Sequence, residues 1–392
     1  MNSEILSSIE FQMALLLFIA LAGYLLATRI NQSAVVGEIL VGLIIGPSIL
    51  GWITYTDFVQ TLAGLGAVIL LFVIGFEFKI EDLLNYKYAI IGLIGIIIPW
   101  IGGYFTALFF GFDASSSIFV GTALTATSIA ITANVLKEIG VLQSEVATAI
   151  IATAVIDDVL SLMALSITTD VVAGSLSVLS VGLVLIKEIG FLVIAGAIGI
   201  RFIAPLLEKV DKTAITVQYP EVPFIFAMMV AFLYAVIAEF LGISGIIGAF
   251  VAGVSLGSVK LVHSRSIYES AESLYIIFAS IFFISLGILV DIHAISEQTV
   301  VFLIVLTAIA IITKVIGCGL PAKIMGMNWR DSMILGFGMS PRGEVAMIVA
   351  LLGLNMNLIG QDIFATIVMM SLLTTVFTPI IYRNWFYKNA VT

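Results

Sequence analysis

An all-helical protein embedded in a membrane is the architecture this sequence predicts, and three observations predict it. The chain of 392 residues is 61% hydrophobic and 10% charged, whereas a soluble domain carries about 25% charged residues. Apolar runs of roughly twenty residues, enough to cross a bilayer as a helix, recur from end to end. Between them Lys and Arg collect in alternate loops, the bias that sets which side of a membrane each loop occupies.

On this basis about thirteen spans are read. They cover 9–29, 35–50, 62–79, 88–110, 115–136, 145–169, 179–208, 222–240, 243–258, 268–290, 298–322, 330–353 and 361–384. Those at 35–50 and 243–258 are short and rich in glycine, and Lys187 and Glu188 interrupt the seventh. Arg29, Lys79, Lys87, Lys137, Arg201, Lys209, Lys212, Lys260, Arg265, Lys323, Arg330, Arg383 and Lys388 all follow odd-numbered spans. Even-numbered loops carry Asp57, Asp113, Asp170, Asp291, Glu297 and Asp362, with no Lys or Arg. The N-terminus is therefore expected outside and the C-terminus in the cytoplasm.

A repeat organises these spans. VVGEILVGLIIGPSIL (35–50) resembles ISGIIGAFVAGVSLGS (243–258), and GTALTATSIAITANV (121–135) has a counterpart in LGFGMSPRGEVAMIV (335–349). The expected division is a first six-helix repeat over 1–178, a linker helix over 179–208 and a second repeat over 209–392. An odd linker turns the second copy upside down, an inverted repeat of the kind that places a site near the midplane.

Within the span Glu145–Thr169, Asp157 and Asp158 sit side by side in ATAVIDDVLS. An acid at the centre of a spanning helix costs about 2.5–3.5 kcal/mol, so such a pair needs a counter-charge or a task. Neighbours on a helix point about 100° apart, so the two carboxyls face different surroundings. Lys314, inside AIAIITKVIGCGL, is the expected partner, with Asp157 preferred to Asp158. Thr125, Thr127 and Ser128 crowd the fifth span, and Ser340-Pro341-Arg342-Gly343-Glu344 interrupts the twelfth. Both are poor helix-interior sequences, so both spans are expected to break near the aspartates. Arg342 is expected to form a structural ion pair with Glu344, or with Glu38 or Glu77. Met369 and Met370 stand where the repeat would put the acid pair and are read as packing. Pro99 and Gly102-Gly103 suggest a kink and close helix packing in the fourth span.

TATSIA, AVIDDV, ITKVIG, GMSPRGEVAMIVA, VVGEILVGLIIGPSILG and LLFVIGFEFKIEDL together resemble the monovalent cation:proton antiporter superfamily. The Asp-Asp pair is similar to the electrogenic sodium/proton branch typified by NapA and NhaA. The resemblance implies an NhaA-like fold with two crossed, discontinuous helices, a core domain and a dimerisation domain each drawn from both repeats, and a homodimer. It also implies that Asp158 binds Na+, that Asp157 pairs with Lys314, and that Thr127 lends an oxygen to the ion, with Ser128 beside it. The exchanged ions would be Na+, with Li+ or K+ as alternatives, and H+, with no cofactor. NhaA-type chains carry an acid where this one has Ser128, which alters the charge balance at the break. Potassium-efflux relatives usually carry Gln-Asp and a nucleotide-binding domain, neither of which stands in this sequence.

Other classes fit less well. The net charge of −9 argues against nucleic acid. The single cysteine, Cys318, allows no internal disulfide. No basic residue precedes the first apolar run, so a cleaved signal peptide is not expected, and no polar tail suggests a regulatory domain. An intramembrane aspartyl protease needs facing carboxyls, and consecutive ones diverge. A cation channel needs a continuous pore. A sodium-coupled solute symporter is the strongest rival, but no feature demands an organic-substrate pocket. The expected setting is multi-pass in a cell membrane, with pH homeostasis as its role.

Overall fold

The computed structural model describes residues 8–78, 85–172, 178–259, 264–294 and 297–388. Lys79 and Lys260 lie outside the described residues, as do the side chains of Glu77, Asp170, Arg265, Glu297 and Glu344.

The described chain is helical throughout. In order come α1 (Ile9–Arg29), α2 (Ala34–Ile45), α3 (Asp57–Glu77), α4 (Tyr86–Phe109), α5 (Ala114–Ala123), α6 (Ile129–Glu138), α7 (Glu145–Val172) and α8 (Val178–Ile198). There follow α9 (Ala204–Asp211), α10 (Ala214–Gln218), α11 (Val222–Phe240), α12 (Gly245–Gly257), α13 (Ser264–Ile288) and α14 (Glu297–Lys314). The last are α15 (Leu320–Ile324), α16 (Trp329–Gly338), α17 (Glu344–Asn355) and α18 (Gln361–Ile381). Single π turns continue three of them, at Gly199–Ile203, Val315–Gly319 and Tyr382–Phe386.

Each of the thirteen apolar segments read from the sequence contains helix among its described residues, but they are not alike, and the second leaves the helix after Ile45. Among the described residues 9 helical stretches are long and apolar enough to cross a membrane. The glycine-rich α2 and α12 are short, and the fifth and twelfth segments are each two half-helices. The breaks fall at 124–128 and 339–343, on the hydroxyl-rich and proline-glycine stretches.

The chain divides into two compact units. Unit 1 comprises Met1–Tyr55, Asn85–Val184 and Ile284–Thr392, and unit 2 comprises Thr56–Leu84 and Leu185–Phe283. Within unit 1, α4 packs against α5, α7, α14 and the π turn at Val315–Gly319. Small residues on α4 permit this approach. A Cβ at Gly95 would stand 2.4 Å from Cys318 Sγ, and one at Gly102 2.6 Å from Thr313 Cγ2. Met370 is fully buried in α18. Within unit 2, α12 packs closely on α3 and α11. Its core joins Phe72 and Val73 of α3, Phe191 of α8, Ala227 and Ala231 of α11, and Ala249 and Ala252 of α12.

The Gly95 contact gives a stability test. Gly95→Val overfills the α4–Cys318 contact and should cost about 1–3 kcal/mol, read as a lower thermal unfolding midpoint in detergent. Gly64→Ala on α3, where a Cβ meets nothing within 4 Å, should leave the midpoint unchanged or slightly raised.

Candidate functional site

The two broken helices meet at their breaks. The Ser128 N–H donates to the Pro341 carbonyl at 2.8 Å. The Thr127 hydroxyl donates to the Met339 carbonyl at 3.0 Å, and the Thr132 hydroxyl to Gly338 at 2.6 Å. A Cβ at Gly343 would lie 2.7 Å from Ser128 Oγ, so glycine is what lets the strands of backbone approach there. Hydroxyls that looked like helix breakers in the sequence thus tie one break to the other.

A broken helix leaves carbonyls at the end of its first half and N–H groups at the start of its second. Arg342 answers the carbonyls. Its Nη2 donates to Leu124 at 2.8 Å and to Ala310 at 3.0 Å, and its Nη1 donates to Ser340. Leu124 is the C-cap of α5, and Ser340 lies just past the end of α16. A cation at two C-terminal ends opposes the partial negative charge of both. The Arg342 backbone is itself held, its N–H by Thr374 Oγ1 at 3.2 Å and its carbonyl by Thr375 Oγ1 at 2.9 Å. The expected ion pair with Glu344 falls on a side chain outside the described residues. Among the described residues the guanidinium is held by backbone carbonyls rather than by an ion pair with Glu38 or another acid. The opposite ends, the N-termini of α6 and α17, have Ser128 and Gly343 as N-caps and no side-chain cap hydrogen bond.

Asp157 lies in α7, which packs against α4, α5, α6 and α16. Lys314 Nζ donates to Asp157 Oδ1 at 2.7 Å, and both side chains are fully buried. Thr127 stands against the Asp157 carboxyl, and Arg342 acts on it electrostatically. Asp157 Oδ2 is buried and receives no hydrogen bond. Lys314 is the last residue of α14, directly before the π turn at Val315–Gly319. Such a turn re-aims the side chains next to it and often marks a site. Asp158, one residue on, is also buried, at 8% exposure against 0% for Asp157, and the helical step of about 100° turns the two carboxyls to different faces. Among the described residues no three His, Cys, Asp or Glu side chains gather as a metal centre.

The structure therefore brings Asp157, Lys314, Thr127, Ser128 and Arg342 together, all within unit 1. It places Asp158 on the same helix turn. Two elements were not read from the sequence. The π turn has no local signature in ITKVIGCG, and the carbonyl partners of Arg342 come from segments far apart in the chain. Cys318, read only as an unpaired thiol, lies in the π turn within electrostatic reach of Lys314 and Asp157.

Breaking a buried pair by removing one partner costs about 3–5 kcal/mol, because the other charge is stranded. Lys314→Met should therefore lower the thermal unfolding midpoint markedly. Asp157→Asn combined with Lys314→Met should recover most of the loss, whereas additive losses would mean the two side chains act independently.

Comparison with known proteins places this geometry in context. Residues 15–386 match the family described as sodium/hydrogen exchanger, transmembrane. The Na(+)/H(+)-K(+) antiporter GerN of Bacillus cereus is 34% identical over 380 residues, covering 94% of each chain. The Na(+)/H(+) antiporter of Enterococcus hirae is 31% identical over 384 residues, covering 96% of this chain and 97% of that one. The sodium proton antiporter MjNhaP1 of Methanocaldococcus jannaschii superposes with a TM-score of 0.73 over 98% of both chains at 18% identity, a likeness of fold.

Proposed function

This chain belongs to the sodium/hydrogen exchanger family and is a membrane transporter rather than an enzyme; from there we propose that it exchanges cytoplasmic Na+ for external H+ by alternating access, with Asp158 holding the ion. The observation that carries this reading is the buried Lys314–Asp157 pair set beside Thr127 at the meeting of two broken helices. A carboxylate in such a place can hold a proton or a small cation but holds both poorly.

Asp158 supplies the charge for Na+. Thr127 contributes oxygen lone pairs, since its one hydroxyl proton is given to Met339. Asp157, with one oxygen on Lys314 and the other without a hydrogen bond, is the second carboxylate of the ion's surroundings. Sodium enters the ionised site from the cytoplasm and leaves outside, and protons reload the carboxyls. An empty, charged site is penalised by its burial, so the return is made in the protonated form. Protons leaving both Asp158 and the Asp157–Lys314 pair for one Na+ make the cycle electrogenic, driven by membrane potential as well as by the pH gradient.

A second ion has a specific observation in its favour. The relative GerN is named a Na(+)/H(+)-K(+) antiporter, so K+ at the same site is the alternative, with Li+ as a further substrate. We place the N-terminus outside and the C-terminus in the cytoplasm of a cell membrane, with thirteen crossings and a homodimeric assembly. The inverted repeat of 1–178 and 209–392 about the linker 179–208 is supported by the two matched breaks at 124–128 and 339–343.

In proteoliposomes holding an imposed pH gradient, added Na+ should collapse the gradient with the unmodified chain and fail to do so with Asp158→Asn. A response to K+ alone would move the protein to potassium/proton exchange. An intact protein that answers no cation would rule out antiport.

A further inference from the structure

The helix α8 carries a buried carboxyl that the exchange cycle does not use. Glu188 is 3% exposed, its Oε2 meets no hydrogen-bond partner, and no described charge acts on it. Its position on the helix explains the burial. Glu188, Phe191, Leu192 and Ala195 fall at i, i+3, i+4 and i+7, one stripe of a helix. Phe191 belongs to the apolar core of unit 2, and Leu192 and Ala195 pack against it. Lys187, the adjacent cation, is exposed and points off this stripe.

Among the described residues no counter-charge of that core's elements acts on Glu188: Arg201 and Lys209 are exposed, and the Arg265 side chain lies outside the described residues. On α11, Tyr234 gives its hydroxyl to the Ala195 carbonyl at 2.9 Å, and Glu239 is exposed. On α3, Asp57 is exposed at the first residue, and the Glu77 side chain lies outside the described residues. The α12 sequence GIIGAFVAGVSLG contains no ionisable side chain. On α13, Glu269 is exposed while Glu272 and Tyr275 are half-buried. On α9, Glu208 is engaged by Lys212 at 2.6 Å. An acid within a spanning helix that lacks a partner is held at least cost without its charge.

We propose that Glu188 is a proton-binding carboxyl separate from the Asp157–Asp158 site, carried as the neutral acid near neutral pH, and that its ionisation in alkaline medium disturbs the packing of the linker helix in unit 2. The packing of α8 is then a pH-responsive feature independent of the transported cation. The substitution Glu188→Gln mimics the protonated side chain in shape and charge and would lack the response.

Dicyclohexylcarbodiimide, an apolar reagent for protonated carboxyls, tests this on the full chain in nanodiscs without any variant. The acid proton passes to one carbodiimide nitrogen as the carboxyl oxygen adds to the central carbon. The resulting O-acylisourea rearranges to a stable N-acylurea, with nothing oxidised or reduced. Peptide mass mapping should find the adduct on Glu188 at about pH 6.5, undiminished by saturating Na+, and several-fold weaker at about pH 9.5. No adduct at Glu188, an adduct that does not fall with pH, or one that Na+ suppresses would overturn the proposal. In proteoliposomes, Glu188→Gln should keep Na+-triggered gradient collapse near neutral pH and show a flattened alkaline limb of the pH profile. A profile that superposes on that of the unmodified chain would also overturn it. Antiport could fail in the unmodified chain while the labelling result stands, so the two readings are separable.

Discussion

A lysine ammonium and an aspartate carboxylate, 2.7 Å apart and shut off from solvent, set the terms for the rest of unit 1. Neither charge is tolerable alone at that depth, and their attraction offsets the loss of water only if the geometry is held. Much of the surrounding architecture supplies that geometry. The α7 helix fixes Asp157, α14 ends at Lys314, and a π turn follows at once. Glycines on α4 bring that helix against the turn, within a distance that a Cβ at Gly95 would close. Cys318, buried in the same turn, carries the sulfur that such a Cβ would strike.

The broken helices extend the same logic to the backbone. Two helix ends with unpaired carbonyls would be as unwelcome in a membrane as an unpaired ion. Arg342 takes those carbonyls, one guanidinium reaching Leu124, Ser340 and Ala310. The breaks themselves are stitched by Ser128 to Pro341 and by Thr127 to Met339. The N-termini of α6 and α17, whose N-caps Ser128 and Gly343 make no side-chain cap hydrogen bond, supply partial positive charge.

Much of this was legible in the sequence, and the residues show why. Apolar length located the long helices, though not the short α10, because a spanning segment admits few charges and the exceptions stand out. Lys314, Asp157 and Asp158 stood out in this way, and the pairing of Lys314 with Asp157 followed from the cost of isolation. The breaks were legible because Thr125, Thr127, Ser128, Pro341 and Gly343 are poor choices for a helix interior. The carbonyl partners of Arg342 were not legible, since sequence shows which residues carry charge but not which carbonyls a break leaves unpaired. The π turn escaped because a single inserted residue per turn leaves composition unchanged. Glu188 looked like an interruption of the seventh apolar run beside Lys187. Its burial became visible only once Phe191 and Ala195 were seen to share its stripe of α8.

The central claim is that a proton and a cation compete for the same buried carboxylates. The measurement that tests it most directly is the Na+ dissociation constant of the purified protein as a function of pH. Competition with one proton requires the constant to rise about tenfold for each unit of pH lowered below the site's titration, and about a hundredfold if two protons are displaced. A dissociation constant that stays level across that range, in protein that still binds Na+, would mean that the ion and the proton occupy different places.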